Sequence, residues 1–284
     1  MIHKTFERLA RYAWQTLEEA HELDFALGEE TLTETLLLQL KRMKNPAIQV
    51  VPYNKTEESL NGADWEWWIQ DGSSYHRVAV QAKKISRNGR YKSFIHEVGA
   101  AKTPQIHLLR TYALANGALP LYCLYNHHPK AKADHLNCLR GKQKDLTQLG
   151  CTLMPIDAAD LVYSKTLKPE FIAIHEHSIN PVPWRCLFLC GLVKKPACKF
   201  RPEHRWGILW MRLRLWLPLV KPIPREQVDV LLQRLRDAGP DAIDEPGGLL
   251  SEFFASEVGL YPKYVVIIQQ DADQRSSQIE DWTF

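Results

Sequence analysis

GADWEWWIQDGSSYHRVAVQAKK, residues 62–84, has the layout of two strands folded back on each other. Two apolar, aromatic-rich runs flank Gln70-Asp71-Gly72-Ser73-Ser74, and Asp71-Gly72 is a turn signal, so the spacing predicts a β-hairpin. The midpoint between positions 64 and 81 falls inside that turn, which sets Asp64 roughly opposite Gln81 on the neighbouring strand. Side chains alternate along a strand, so Gln81 and Lys83 point to one side while Val78, Val80 and Ala82 point to the other. Asp64, as the cross-strand neighbour of Gln81, joins them. A hydrophobic hairpin thereby gathers a carboxylate, an amide and an ammonium in one place. Such a cluster, near a helix with spare glutamates, is a metal-and-water site in outline.

Working outward, Phe6, Leu9, Ala10, Ala13 and Leu17 lie near helical spacing and predict a helix over 4–26. Gly28 breaks it, and ETLTETLLLQLKRM (30–43) resumes a leucine stripe that Asn45-Pro46 ends. IQVVPY (48–53) reads as a strand ahead of the hairpin. After it come a helix over 91–116 stopped by Gly117, a strand LPLYCLYN, a helix over 131–149 and a short strand CTLMPI. This order predicts an α/β fold with a mixed sheet flanked by helices. HSINPVP (177–183) has the Pro and Asn content of a linker, dividing the chain into 1–176 and a C-terminal α+β region, 184–284. In that region LWMRLRLWL (209–217) alternates a leucine face with a face of Trp210, Arg212, Arg214 and Trp216. Such a face suits stacking on bases or gripping phosphates, although packed Trp with snorkelling Arg is the plainer reading. Pro224–Arg236 reads as a helix capped by Gly239, and KYVVIIQ as a late strand.

The 284 residues are 45% hydrophobic and 24% charged, the composition of a globular protein with a sizeable core. The longest apolar run, 206–220, is interrupted by Arg212 and Arg214, and the N-terminus has no continuous apolar segment. Neither membrane insertion nor secretion is indicated, and the cytoplasm is the expected compartment. The six cysteines are irregularly spaced, as reduced thiols are. Cys186, Cys190 and Cys198 with His204 match no common zinc module, so plain core is the better reading. His175 and His177 are spaced to share a strand face and could bind metal, although an exposed segment ahead of the linker is the plainer reading; His127-His128, between a strand and Pro129, reads as a polar loop. Net charge is only +3, but Lys and Arg concentrate in 82–144 and 185–225 while both ends of the chain are acidic. Segregation of this kind builds a basic face that can bind phosphates, or simply a pair of solvated surfaces.

Asp64, the turn, and the triplet Gln81-Ala82-Lys83 together resemble the PD-(D/E)XK nuclease superfamily, whose fold is restriction-endonuclease-like. That pattern has an acid at the start of the second core strand, an acid-x-lysine triplet on the third, and a helical glutamate upstream. Gln81 in place of the acid is a departure that is similar to the QxK variant of Mrr-type restriction nucleases. The resemblance covers residues 29–125 and does not extend into the C-terminal hundred. Glu29, Glu30 and Glu34 are all available for the upstream position, and Glu30, at the edge of the leucine stripe, is the narrow choice over Glu34. Gln105 and Tyr112 resemble the QxxxY-like element of some of these nucleases, with a wider spacing.

The resemblance implies metal-dependent hydrolysis of DNA phosphodiesters, RNA remaining an alternative, with restriction or anti-phage defence as the context. Glu30, Asp64 and Gln81 would hold Mg²⁺ or Mn²⁺, and Lys83 would orient the attacking water or stabilise charge on the phosphorane. Lys84, Arg87, Arg90, Lys92, Gln105, Arg212 and Arg214 are the expected nucleic-acid contacts, and a homodimer would supply two sites for two strands. A second reading keeps the fold and drops the chemistry, leaving a nucleic-acid-binding or effector module with a degenerate site. A third uses the nine tryptophans as contact anchors of an interaction scaffold.

Overall fold

The computed structural model describes residues 1–53, 63–136, 145–178, 181–189, 219–238, 247–254 and 261–269. The two leading helices form where the apolar spacing places them. α1 (Ile2–Glu22) buries Phe6, Leu9, Ala10, Ala13 and Leu17, and α2 (Glu29–Arg42) buries Leu32, Leu36 and Leu40. β1 (Ile48–Pro52) follows, then the hairpin of β2 (Trp65–Asp71) and β3 (Ser74–Lys84). Its two-residue turn starts at Gly72, whose φ of +59° is a conformation that glycine adopts without steric cost.

Trp65 pairs with Val80, and the Asp64 amide donates to the Val80 carbonyl at 2.8 Å, so Asp64 stands across from Gln81 as the turn position requires. Trp65, Trp67 and Trp68 are all buried. Each removes roughly 150–250 Å² from water, on the order of 4–6 kcal/mol of transfer free energy. The hairpin is therefore the centre of the core.

The segment expected as one helix over 91–116 is helical only in its second half. A short β4 (Glu97–Val98) pairs with β5 (Thr103–Pro104), and α3 (Gln105–Asn116) starts directly after Pro104. Proline lacks the N–H that an interior helical turn needs and disfavours a helical residue before it, and Gly99 and Lys102 both take positive φ. α3 ends at Gly117 and crosses over to β6 (Leu119–Tyr125), which runs parallel to β3. Where a helix is expected over 131–149, the described residues hold 3₁₀ turns at Ala133–Leu136 and Leu146–Gly150, the second opened by Asp145 accepting from the Thr147 amide at 3.1 Å; 137–144 lie outside the described residues. β7 (Cys151–Pro155), α4 (Ile156–Tyr163), α5 (Phe171–Glu176), β8 (Val182–Pro183) and α6 (Cys186–Leu189) follow. The described C-terminal elements are β9 (Ile223–Pro224), α7 (Arg225–Asp237), α8 (Gly247–Leu250) and β10 (Tyr264–Ile268).

The described residues form the expected α/β class, a mixed eight-stranded sheet flanked by helices. Seven strands run in the order β1-β10-β2-β3-β6-β7-β8, with β9 beside the start of β3. The linker read at 177–183 does not divide this sheet: β8 lies inside that stretch and pairs with β7, and β10 lies between β1 and β2, antiparallel to one and parallel to the other. The stretch bearing Arg212 and Arg214 lies outside the described residues.

The two faces of the sheet differ in chemistry. α1 and α2 cover the face of Trp65, Trp67 and Tyr125, where Phe6 meets Trp67 edge-on at 6.0 Å. The opposite face carries Glu66, Trp68, Arg77, Gln81 and Lys83 by strand parity. There the buried Glu66 carboxylate is held by the Arg77 guanidinium, the Trp68 indole N–H at 3.0 Å and the Tyr112 hydroxyl. Arg77 also donates to the Phe253 carbonyl at 2.7 Å and lies 4.7 Å from the Phe254 ring, tying the C-terminal segment to the hairpin.

Candidate active site

The polar residues of the hairpin meet at the carboxyl end of β3, where α2 and α3 both begin. Ligand sites in open α/β sheets favour this position, because helix starts and strand ends leave backbone groups and side chains unencumbered there. A cleft of ≈ 580 Å³ opens at this point, lined among others by Glu29, Glu30, Asp64, Gln81, Lys83 and Lys263.

Asp64 is half-buried, and its Oδ2 accepts from Gln81 Nε2 at 2.6 Å and from the Ala82 amide at 2.7 Å. Burial pushes its carboxyl up to about 6; Lys83 and the Ala82 amide pull it down, and Glu29 raises it further. Gln81 is buried, and its Oε1 has no hydrogen-bond partner among the described residues. A buried amide oxygen left unpaired is costly, which marks the position as one where a further group belongs. Lys83 is 2% exposed, and its ammonium donates to Gln105 Oε1 at 2.8 Å and lies 3.5 Å from Glu29 Oε1. Gln105 is the first residue of α3, so the loop after β3 returns the chain to its own lysine.

Glu29, rather than Glu30, is the helical glutamate against β3. Its Oε2 accepts from the Lys84 amide at 2.7 Å and from the Ser93 hydroxyl at 3.2 Å. Glu30 stands at the mouth of the cleft, ion-paired with Lys263, and Glu34 accepts from the Tyr264 hydroxyl at 3.3 Å. Helical spacing explains the choice: Glu29 lies four residues before Thr33, whose hydroxyl is 3.0 Å from the Tyr125 hydroxyl, so both share the sheet-facing side of α2. The buried stripe of α2 includes Thr33, a polar residue that a reading by leucines passes over.

The remaining candidates separate. Lys84 is half-buried, its ammonium 3.3 Å from the Ile85 carbonyl. Arg87 and Arg90 are exposed and paired with Asp24 and Glu170, and Lys92 is exposed. Tyr112, seven residues after Gln105, joins Glu66 and Arg77 instead of the cleft. His175, expected in an exposed segment, is instead a core residue of the helix α5, between the Phe171 carbonyl at 2.9 Å and Thr152 at 3.3 Å, with burial pushing its imidazole down to about 3. Cys190, Cys198 and His204 lie outside the described residues. Lys263, Tyr264, Ser93 and His96 also line the cleft, and nothing in their local sequence signals it.

Among the described residues, no three His, Cys, Asp or Glu side chains are grouped to hold a metal ion. The cleft instead offers the two carboxylates of Glu29 and Asp64 with the unpaired Gln81 amide oxygen. That set is all oxygen, the donor chemistry of a hard divalent cation such as Mg²⁺. Around it stand four carboxylates, Glu29, Glu30, Glu34 and Asp64, against the ammonium groups of Lys83 and Lys263. The excess of two negative charges is what one divalent cation would neutralise. Also among the described residues, no helix is long and apolar enough to cross a membrane.

A family profile described as "Family of unknown function (DUF6615)" matches residues 2–273. No curated protein and no solved structure matches the chain.

Proposed function

We propose, for a chain that belongs to the DUF6615 family of unknown function, that it is a divalent-metal-dependent nuclease of the PD-(D/E)XK type acting on DNA. The observation that carries this reading is the convergence of Asp64, Gln81, Lys83 and Glu29 at one strand end, with the Gln81 oxygen unpaired. Asp64, Gln81 and Glu29 would hold the cation, Glu29 taking the place read for Glu30. Bound there, Mg²⁺ or Mn²⁺ supplies polarisation of the phosphodiester and a more acidic attacking water.

The chain's own residues do the rest. Lys83, fixed by Gln105 and Glu29, offers an ammonium to the negative charge that develops on phosphorus, and its burial keeps that charge from being screened. The Ala82 amide, on the neighbouring strand β3, holds Asp64 in place across the hairpin. Gln81 contributes an oxygen without a charge, so metal affinity is weaker than in a site with a third acid.

Plasmid cleavage by the purified protein in Mg²⁺, in Mn²⁺ and in EDTA, beside Lys83→Ala, tests the proposal. Metal-dependent nicking or linearisation that disappears in the variant supports it; a variant that cuts as well as wild type sinks it. Gln81 at the acid position also favours a second reading, a nucleic-acid-binding module of the same fold. DNA binding by both proteins with no cleavage in either metal selects that one.

A further inference from the structure

We propose that Lys263 is the cation that receives a substrate phosphate at the mouth of the cleft, with Glu30 as its displaceable counter-ion. This rests on the nuclease reading of the same site. Of the two cleft ammonium groups, Lys83 is buried and held by Gln105 and Glu29, which suits it to the reacting phosphorus and not to the cleft mouth. Lys263 is the reverse case: its side chain is 40% exposed and its partner Glu30 is 66% exposed.

An ion pair so open to water is weak, so an incoming phosphate can replace Glu30 at little cost. The backbone beneath is fixed. The Lys263 carbonyl accepts from the Tyr53 amide at 2.9 Å, and Tyr264 begins β10, between Pro52 of β1 and Trp65 of β2. A rigid base with a solvent-facing ammonium suits a recognition contact. The arrangement gives Glu30 a role distinct from metal binding: it holds Lys263 while the cleft is empty and repels polyanions that do not displace it.

The two members of the pair then act with opposite signs, which separates this role from a structural clamp. The experiment is fluorescence anisotropy of a labelled DNA duplex of about 20 base pairs with the full chain, in Ca²⁺ and in EDTA, over a series of NaCl concentrations. Lys263→Ala is expected to weaken binding roughly three- to tenfold and to reduce the log–log salt slope by about one. Glu30→Gln is expected to tighten binding, and Lys263→Arg to retain it. If wild type binds and Lys263→Ala binds equally, or if Lys263→Ala and Glu30→Gln weaken binding alike with a lowered Tm, the inference is overturned and the nuclease reading stands. If wild type binds no duplex in either condition, the nuclease reading falls with it.

Discussion

Lys83 and Asp64 show how single residues carry opposite burdens in one site. The Asp64 carboxyl stands at about 6 in the fold against an ordinary 3.8, so the folded chain binds its proton more tightly than the unfolded chain does. The ionised form costs stability above about pH 6, and the cost is relieved as pH falls from about 6 towards 4. Metal-free protein is therefore expected to gain on the order of 1 kcal/mol from this group between pH 7.5 and pH 5, and Asp64→Asn to lose that dependence. Urea denaturation at the two pH values measures it. Gln81→Glu is expected to raise Mg²⁺ affinity about tenfold by placing a third charge on the donor set, and to lower metal-free stability, because like charges would then face each other where Gln81 Nε2 now lies 2.6 Å from Asp64. Isothermal titration calorimetry and thermal melts read the two effects. The positions of Asp64, Gln81 and Lys83 were legible because hairpin register follows from the turn and strand parity. Glu29 was not, because three glutamates within six residues differ only in which side of α2 meets the sheet.

At the scale of elements, the same face of the hairpin carries two acids of different kinds. Glu66 is fully buried and satisfied by Arg77, Trp68 and Tyr112, whereas Asp64 borders the cleft. Glu66→Gln would leave the Arg77 guanidinium without its counter-charge, at an expected cost of about 3 kcal/mol. Loss of Tm in a variant with intact metal binding distinguishes it from a site residue. Gly150 shows a second kind of constraint: a Cβ there would lie 1.9 Å from the Ala10 carbonyl oxygen of α1. Gly150→Ala is expected to destabilise by about 2 kcal/mol or more, since neither backbone can give way freely. Helix starts and stops written as Pro104 and Gly117 act locally. The loop over 91–104 was misread because its few apolar side chains imitate a helical stripe, which Pro104 and the positive φ of Gly99 and Lys102 prevent.

Across the whole molecule, β10 joins the C-terminal region to the sheet. Were residues 1–176 an independent domain, a fragment ending there would melt cooperatively; with β1 and β2 deprived of the strand between them, it is expected to show no cooperative transition in calorimetry. The α/β class, the hairpin register and the placing of Asp64, Gln81 and Lys83 on one face follow from local pattern, because turn chemistry and side-chain alternation act over a few residues. Tertiary structure alone decided that β10 enters between β1 and β2, that Lys263 reaches the cleft mouth, and that Glu29 rather than Glu30 meets Lys83. These depend on which distant backbone completes a ladder and which side of a helix packs against the sheet. The burial of many residues together settles both, and no local pattern encodes either.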